Sequence, residues 1–101
     1  MSSSIDYLDF VLERLSIIDN ITYRPMMGEY IIYHQGIVIG GIYDNRFLIK
    51  LTKSIIEMFP NSIKEIPYGG AKEMLLVDFI EEDQLLKAAI DVVTADLKNK
   101  K

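Results

Sequence analysis

The sequence predicts an α+β fold of two layers, in which helices cover one face of an antiparallel five-stranded sheet. Apolar residues follow helical spacing near both ends of the chain and strand-like alternation in its middle. A length of 101 residues supports a single domain, which we assign to residues 1–101. The predicted order is a helix, three strands, a short helix, two strands and a last helix, which suits helices packed on one side of an antiparallel sheet.

Apolar residues spaced three or four apart from Ile5 to Ile18 predict the first helix. Ser3 or Ser4 can cap its first turn, where Asp6 suits the positive end of the helix dipole. The following segment, "ITYRPMM", is expected to be an extended lead-in. Its Pro25 disfavours helix at the residue before it and cannot donate a hydrogen bond within a central strand.

Three strands are predicted in the middle of the chain, over Glu29–His34, Ile37–Tyr43 and Arg46–Leu51. The pairs Gln35-Gly36 and Asp44-Asn45 separate them, and glycine, asparagine and aspartate adopt the positive φ of tight hairpin turns at little cost. We therefore expect a three-stranded meander with two two-residue loops.

The second half of the chain contains the remaining predicted elements. A short helix is predicted from about Thr52 to Phe59, and two strands over Lys64–Tyr68 and Glu73–Phe79. The last helix is predicted over Glu82–Lys98. It carries acidic residues at its start and lysine at its end, which is the order that a helix dipole favours.

Composition argues against several classes of function. The 15 acidic residues exceed the 11 basic ones and give a net charge of -4, so direct binding to DNA is not expected. The absence of cysteine excludes disulfides, zinc-thiolate sites and cysteine nucleophiles. The N-terminal segment carries Asp6 and Asp9 where a signal peptide would carry lysine or arginine, and no apolar run is long enough to span a bilayer. We therefore expect a cytoplasmic protein that does not enter membranes.

The segment from Gly28 to Leu51 contains four of the six glycines, which raises the question of a phosphate-binding loop. Gly36 and Gly41 have the spacing of such a loop, but Ile42 stands where the loop requires lysine. We therefore interpret this segment as a sheet with turns.

No catalytic centre is evident from the residues. His34 is the only histidine and has no second ligand at metal-binding spacing, so we expect it to be a surface residue beside a turn, without an assigned role. The acidic run Glu81–Asp83 lacks the glycine of a calcium loop and is interpreted as the solvated start of the last helix. We predict a protein without enzymatic activity, cofactor or metal.

Strand alternation divides the predicted meander into two faces. The face expected to meet the helices is formed by Ile31, Tyr33, Val38, Gly40, Ile42, Phe47, Ile49 and Leu51. The opposite face is the candidate protein interface, and its contact residues are predicted to be Tyr30, Ile32, Ile37, Ile39, Tyr43, Leu48 and Lys50. Two alternatives stay open: loops of the same chain cover this second face, or a bulge at Gly36 changes the register.

A second candidate site would bind an anion. The stretch "PYGGAKE" combines backbone freedom at Gly69 and Gly70 with a cation at Lys72, and Arg24 is a further candidate for contact with the anion. The pocket is expected near Tyr30. As a connection between two strands, the same stretch needs no ligand, so both interpretations remain open.

The region "YRPMMGEYIIYHQGIVIGGIYDNRFLIKLTKS" resembles the signature of the TfoX N-terminal domain family, the bacterial regulators of competence genes. The matching residues are Tyr23, Arg24, Met26, Gly28, Tyr30, Tyr33, Gly36, Asp44 and Lys50. "PYGGAKE" and the helix after "VDFIEED" are similar to a short single-domain branch, so the resemblance extends from about Tyr7 to Leu97. It implies a fold similar to secretion-chaperone-like domains and a role in transcription control through protein contacts, with no catalytic residue.

We therefore expect a small protein-interaction module, a transcriptional co-regulator that contacts another regulator or a second copy of itself in a homodimer. The alternative is a small-ligand or anion-binding domain, or a minor enzyme, with a pocket near Tyr30, Arg24 and Lys72. An apolar sheet face paired across a two-fold axis would favour the first function. Convergence of those three residues around an anion would favour the second.

Overall fold

The computed structural model describes residues 2–99, which form three helices and six strands. The helices are α1 (Ile5–Leu15), α2 (Lys53–Met58) and α3 (Asp83–Lys98). The strands are β1 (Ile21–Met26), β2 (Glu29–His34), β3 (Ile37–Tyr43), β4 (Arg46–Lys50), β5 (Lys64–Glu65) and β6 (Met74–Leu76). They form one antiparallel sheet in the order β1-β2-β3-β4-β6-β5. The predicted α+β class and antiparallel sheet are confirmed, whereas the predicted count of five strands is wrong.

The additional strand is β1, which was predicted to be only an extended lead-in. It pairs with β2 along its whole length and lies at the edge of the sheet. The hydrogen bond from Gln35 N–H to Asn20 O, 2.9 Å, sets the alternation of the ladder, so the nitrogen of Pro25 points away from β2. Proline is tolerated at that position because an edge strand needs no donor on its outer side.

All three hairpin connections between β1 and β4 are two-residue turns in which both residues have positive φ. The φ values are 51° and 85° at Met27-Gly28, 55° and 78° at Gln35-Gly36, and 53° and 57° at Asp44-Asn45. Positive φ at both central residues is typical of the type I′ turn, whose twist matches that of paired strands. The second and third turns confirm the prediction, and the first was missed because methionine rarely adopts positive φ.

One extra residue in β3 changes the faces that simple alternation assigns. Ile32 lies opposite Gly40, and the next residue of β2, Tyr33, lies opposite Val38. Ile39 is therefore the extra residue of a β-bulge. Ile39 and Gly40 face the same side of the sheet, so alternation before the bulge is opposite to the alternation after it.

Glycine is required at position 40 by the close approach of β4. A Cβ atom on Gly40 would lie 2.1 Å from the backbone oxygen of Leu48 and 2.8 Å from the Cα of Ile49. Both are backbone atoms of a paired strand, so a side chain at position 40 would force β3 and β4 apart.

The helices pack on one face of the sheet, which we name the inner face, and the core lies between the two layers. Fully buried in that core are Val11, Leu15, Ile32, Ile39, Ile42, Phe47, Ile49, Ile55, Leu75, Leu86, Ala89, Ile90 and Val93. Arg14 of α1 pairs with Asp83 of α3, with 2.7 Å between Nη2 and Oδ1. Asp96 of α3 accepts hydrogen bonds from Ser54 of α2. These contacts join the three helices into one layer.

The serines at the start of the chain have different roles. Ser4 caps α1, because its hydroxyl accepts a hydrogen bond from Tyr7 N–H at 3.1 Å. Ser3 instead donates to a carboxylate oxygen of Glu29 at 2.6 Å and accepts from Asn45 N–H at 3.0 Å. The segment before α1 is thereby held against the start of β2 and the β3–β4 turn.

Candidate functional site

The face of the sheet opposite the helices, which we name the outer face, is the first candidate for contact with other molecules. The buried residues of the helices all pack against the inner face, so no helix within residues 2–99 covers the outer one. Strand pairing places on it Arg24, Ile31, Tyr33, Val38, Gly41, Tyr43, Arg46, Leu48, Lys50 and Met74. Ile31, Tyr33 and Val38 are half-buried and form what we name the apolar strip.

Part of the outer face is closed by the loop between β5 and β6. Arg46 holds this loop: its Nη1 lies 2.6 Å from Glu65 Oε1, and its guanidinium donates to the carbonyls of Ile66 and Pro67 at 3.3 Å. Leu48, on the outer face of β4, has no exposed surface. The alternative that loops cover this face is therefore correct for the β4 side and not for the apolar strip.

Two tyrosines meet where the loop joins the sheet. The ring centroids of Tyr43 and Tyr68 are 6.0 Å apart, with an angle of 56° between the planes. Burial, and to a lesser degree Tyr68 and Glu29, raises the pKa of Tyr43, whereas Tyr68 is 59% exposed. A Cβ on Gly41 would lie 2.7 Å from Cε2 of Tyr43, so only glycine leaves room for that ring.

A cleft of about 700 Å³ opens beside this tyrosine pair, where β3 and β4 separate. The β3–β4 ladder ends at Gly40 opposite Ile49, and the chain after Lys50 leaves β3 to enter α2. The β5–β6 loop and the last turn of α3 complete the walls. The apolar lining consists of Val38, Tyr43, Leu51, Pro67, Tyr68, Ala71, Met74 and Leu97.

Asp96, in the wall formed by α3, is already engaged by the start of α2. Its carboxylate accepts hydrogen bonds from Ser54 N–H at 2.9 Å and from Ser54 Oγ at 2.8 Å. The Thr52 hydroxyl approaches the same carboxylate without ordinary hydrogen-bond geometry. Interaction with Thr52, then with Ser54 and more weakly with Lys53, holds the pKa of Asp96 below its usual value. This carboxylate is therefore ionised at neutral pH and directed toward α2.

The charges that line the cleft are three lysines, Lys50, Lys53 and Lys72, and two carboxylates, Glu73 and Asp96. They sum to +1, three cations less two anions, in a protein whose net charge is -4. None of these lysines takes part in a salt bridge within residues 2–99. The cleft is therefore locally positive.

The predicted interface residues are divided between the two faces. On the inner face, contrary to the prediction, lie Tyr30, Ile32, Ile37 and Ile39. On the outer face, as predicted, lie Tyr43, Leu48 and Lys50. The prediction that Ile32, Ile39 and Leu48 form one exposed patch is wrong, because all three are completely buried.

The bulge explains this error and also the residues that were missed. Without it, Ile31, Tyr33 and Val38 were assigned to the helix-covered face, although they lie on the outer one. The alternative of a changed register was correct, but the bulge lies at Ile39 and not at Gly36. The sequence signal for it was the adjacent pair of glycines at positions 40 and 41, since glycine inside a strand often marks a bulge.

The predicted anion pocket near Tyr30, Arg24 and Lys72 is not formed. Arg24 is on the outer face of edge strand β1, Tyr30 faces the helices, and Lys72 is in the loop before β6. Four strand spacings separate β1 from β6, roughly 19 Å at about 4.8 Å each. Gly69 and Gly70 have open surroundings, with φ of 87° at Gly70. Of the predicted anion-binding residues, only Lys72 lines the cleft.

His34 is not the surface residue that was expected, because only 3% of it is exposed. Its Nδ1 lies 2.6 Å from the hydroxyl oxygen of Thr94, which itself donates to the Ile90 carbonyl at 2.8 Å. His34 must therefore donate from Nδ1. Burial lowers its pKa and outweighs the opposing effect of Asp91. A neutral imidazole thus joins β2 to α3, which is a structural role.

The acidic run Glu81–Asp83 lies at the start of α3, where Asp83 pairs with Arg14 of α1. In the described part of the chain, residues 2–99, no three His, Asp or Glu side chains are grouped so that they could hold a metal ion. Over the same range, no helix has the length and apolar character needed to cross a membrane.

The chain has a relative in Spirochaeta aurantia, named "Uncharacterized 12.7 kDa protein in trpE 5'region", with 32% identity over 83 residues. The alignment covers 82% of this chain and 72% of the relative. No family model and no solved structure matches the chain.

Proposed function

We propose that this chain, which belongs to the family of the 12.7 kDa Spirochaeta aurantia protein, is a small protein-interaction module that acts as a transcriptional co-regulator. Its contact surface is the apolar strip of Ile31, Tyr33 and Val38 on the outer face. The proposed mode of action is therefore protein contact, as expected from the sequence. The proposed contact residues lie on the face of β2 and of the start of β3 opposite to the one that the sequence predicted.

The observation that carries this proposal is an apolar strip on an uncovered sheet face. Ile31 and Ile32 are neighbours in β2, but Ile32 is completely buried under the helices whereas Ile31 is half-buried with no helix over it. Tyr33 and Val38 lie opposite each other and extend the strip into β3. A sheet face in contact with water usually carries polar residues. An apolar one indicates a surface for another molecule.

The charges around the strip favour a partner with an apolar centre and an acidic rim. Glu29 accepts hydrogen bonds from the segment before α1 and from the β3–β4 turn, and Glu65 pairs with Arg46. Arg24 and Lys50 form no salt bridge among the described residues. A second copy would bring like charges together across a two-fold axis, whereas an acidic partner would be complementary.

The resemblance to the TfoX N-terminal domain family supports the transcriptional part of the proposal. Of the matching residues, Arg24 and Tyr33 lie on the outer face beside or within the apolar strip. Direct contact with DNA is not proposed, because a net charge of -4 repels phosphate at long range.

Affinity capture followed by calorimetry with the purified partner tests the proposal. Three baits are compared: the unaltered chain, Ile31→Glu in the strip, and Ile17→Glu as a matched control. Ile17 is 43% exposed and follows α1, away from the outer face. We expect the unaltered chain and Ile17→Glu to bind one and the same partner, and Ile31→Glu to bind it at least about tenfold more weakly.

Equal binding by Ile31→Glu would contradict the outer-face assignment. A partner without a role in transcription would contradict the co-regulator part. Light scattering tests the remaining possibility. If the unaltered chain were a dimer and Ile31→Glu a monomer, the strip would contact a second copy, and the proposal of an acidic partner would be wrong.

A further inference from the structure

The cleft beside Tyr43 and Tyr68 has the dimensions of a small-molecule site. Its volume of about 700 Å³ falls within the range of roughly 300–1,000 Å³ that is typical of ligand pockets. It lies where the ladder ends at the pair Gly40–Ile49, between the start of β3 and the chain after β4, and the end of α3 forms a further wall.

One wall of the cleft offers an aromatic surface. Tyr43 is buried over Gly41, and its partner Tyr68 lines the cleft and is 59% exposed. Met74 and Leu97 continue the apolar lining from β6 and α3. A partly exposed tyrosine beside apolar side chains can pack against a flat ring through stacked or edge contacts.

The charges of the cleft suit one negative group. Asp96 is engaged by α2 and interacts with Lys53, so Lys50 and Lys72 are left with Glu73 as the only other carboxylate in the lining. The remaining surplus is a single positive charge, which matches one carboxylate better than the several charges of a nucleotide polyphosphate.

The loop next to the cleft also differs from a phosphate-binding loop. Ala71 N–H donates to the Tyr68 carbonyl at 3.1 Å, so this amide closes the Gly69-Gly70 turn and is not free for a ligand. A phosphate cradle needs a row of free backbone amides before a helix.

We propose that the cleft binds a small aromatic carboxylate, with its ring against Tyr68 and its carboxylate toward Lys50 and Lys72. The cleft shares Val38 with the apolar strip, whereas Ile31 and Tyr33 lie outside its lining.

Amide chemical-shift titration of the full chain with 3-phenylpropionate tests the site. We expect shifts at Tyr68, Lys72 and Lys50 and a Kd below about 1 mM. The uncharged 3-phenylpropan-1-ol keeps the ring without the carboxylate and should bind at least about fivefold more weakly, because it loses the charge-assisted contact. Adenosine monophosphate serves as the competing ligand class.

Two variants and one control locate the binding groups. Lys72→Gln and Tyr68→Ala should each weaken binding about fivefold, through loss of the cation and of the ring contact respectively. Lys64→Gln removes an exposed lysine of β5 that does not line the cleft, and its affinity should stay within about twofold of the unaltered chain. Circular dichroism establishes that each variant is folded.

Absence of shifts at the cleft with about 10 mM 3-phenylpropionate would overturn the proposal, since such weak binding has no selectivity. Equal binding of the alcohol, or tighter binding of adenosine monophosphate, would overturn the carboxylate class. The variant Ile31→Glu separates this site from the partner surface, because it should retain the affinity for 3-phenylpropionate.

Discussion

Two parts of the meander, one on each side of the bulge, present their residues in opposite phase. At the start of β3, before the bulge, the odd-numbered Ile37 faces the helices and Val38 lies on the outer face. After the bulge, the even-numbered Gly40 and Ile42 face the helices. A single inserted residue in β3 therefore decides which face of the sheet each following side chain occupies. The two-residue turns before and after β3 stay the same. The face of a strand residue follows from its pairing and cannot be read from sequence parity alone.

The two parts also differ in what covers them. Before the bulge, the outer face is open and carries the apolar strip. After it, the β5–β6 loop is fastened by Arg46 and closes the outer face around Leu48. The outer face before the bulge is thus available to a large partner, whereas β4 and the β5–β6 loop, together with Val38, line a cleft.

The largest expected effect comes from placing glutamate at one of two neighbouring positions in β2, Ile32 or Ile31. Ile32→Glu should destabilise the fold by more than about 4 kcal/mol, because it places a carboxylate in an apolar core without a partner. Ile31→Glu should cost less than about 1 kcal/mol on the outer face. Urea unfolding followed by circular dichroism measures both. Similar losses in the two variants would refute the assigned phase of β2.

Gly40→Ala should destabilise by about 3 kcal/mol, because the new Cβ meets the backbone of β4 at the bulge. Gly69→Ala is the matched control, since a Cβ there has no atom within 4 Å, and its free energy of unfolding should change by less than about 0.5 kcal/mol. A neutral Gly40→Ala would mean that β3 and β4 do not approach so closely.

His34, which lies in β2 before the bulge, makes the free energy of unfolding depend on pH. Burial lowers its pKa from the ordinary 6.5, so below that pH the unfolded chain binds a proton that the folded chain resists. The contribution of His34 to stability is fully present above pH 6.5 and is lost as the pH falls through the folded pKa. Over this range the group lowers the free energy of unfolding by at most about 1.4 kcal/mol per pH unit.

The control is His34→Asn, which keeps a donor for Thr94 and cannot titrate. Urea unfolding over the same pH range should give a smaller slope for this variant than for the unaltered chain. Equal slopes would assign the pH dependence to other groups.

The smallest expected effect is a gain in stability at the first turn. Met27 holds a φ of 51° in a position that asparagine favours, and it is 97% exposed, so its side chain supports little packing. Met27→Asn should stabilise the fold by about 0.5 kcal/mol and raise Tm by roughly 2–4 °C. A lowered Tm in differential scanning calorimetry would show that Met27 has contacts that its exposure conceals.

The sequence predicted what depends on local chemistry. Gln35-Gly36 and Asp44-Asn45 specify their turns by themselves, and the apolar stripe of α3 requires only helical spacing. The bulge at Ile39 depends on how closely β4 approaches Gly40, which is a tertiary property. Strand β1 was missed because proline is excluded from central strands but tolerated at the edge of a sheet, where Pro25 lies.

The candidate cleft was predicted only at Lys72. Lys50 ends β4, Tyr68 is in a loop and Leu97 is near the end of α3, and only the folded topology brings them to one cavity. No spacing along the chain connects these residues. The prediction that Arg24 and Tyr30 lie beside Lys72 is wrong for the same reason, since strand order and face decide which side chains can meet.

The three type I′ turns also bear on how the chain reaches its fold. Strands β1, β2 and β3 each pair with the next strand in sequence through a two-residue loop, so these contacts are local and need little loop closure. Strand β6 reaches β4 only after α2 and β5, at a higher entropic cost. We therefore expect the meander to form the folding nucleus. Substitutions in the Asp44-Asn45 turn should slow folding, whereas those at the Arg46 loop contacts should mainly accelerate unfolding.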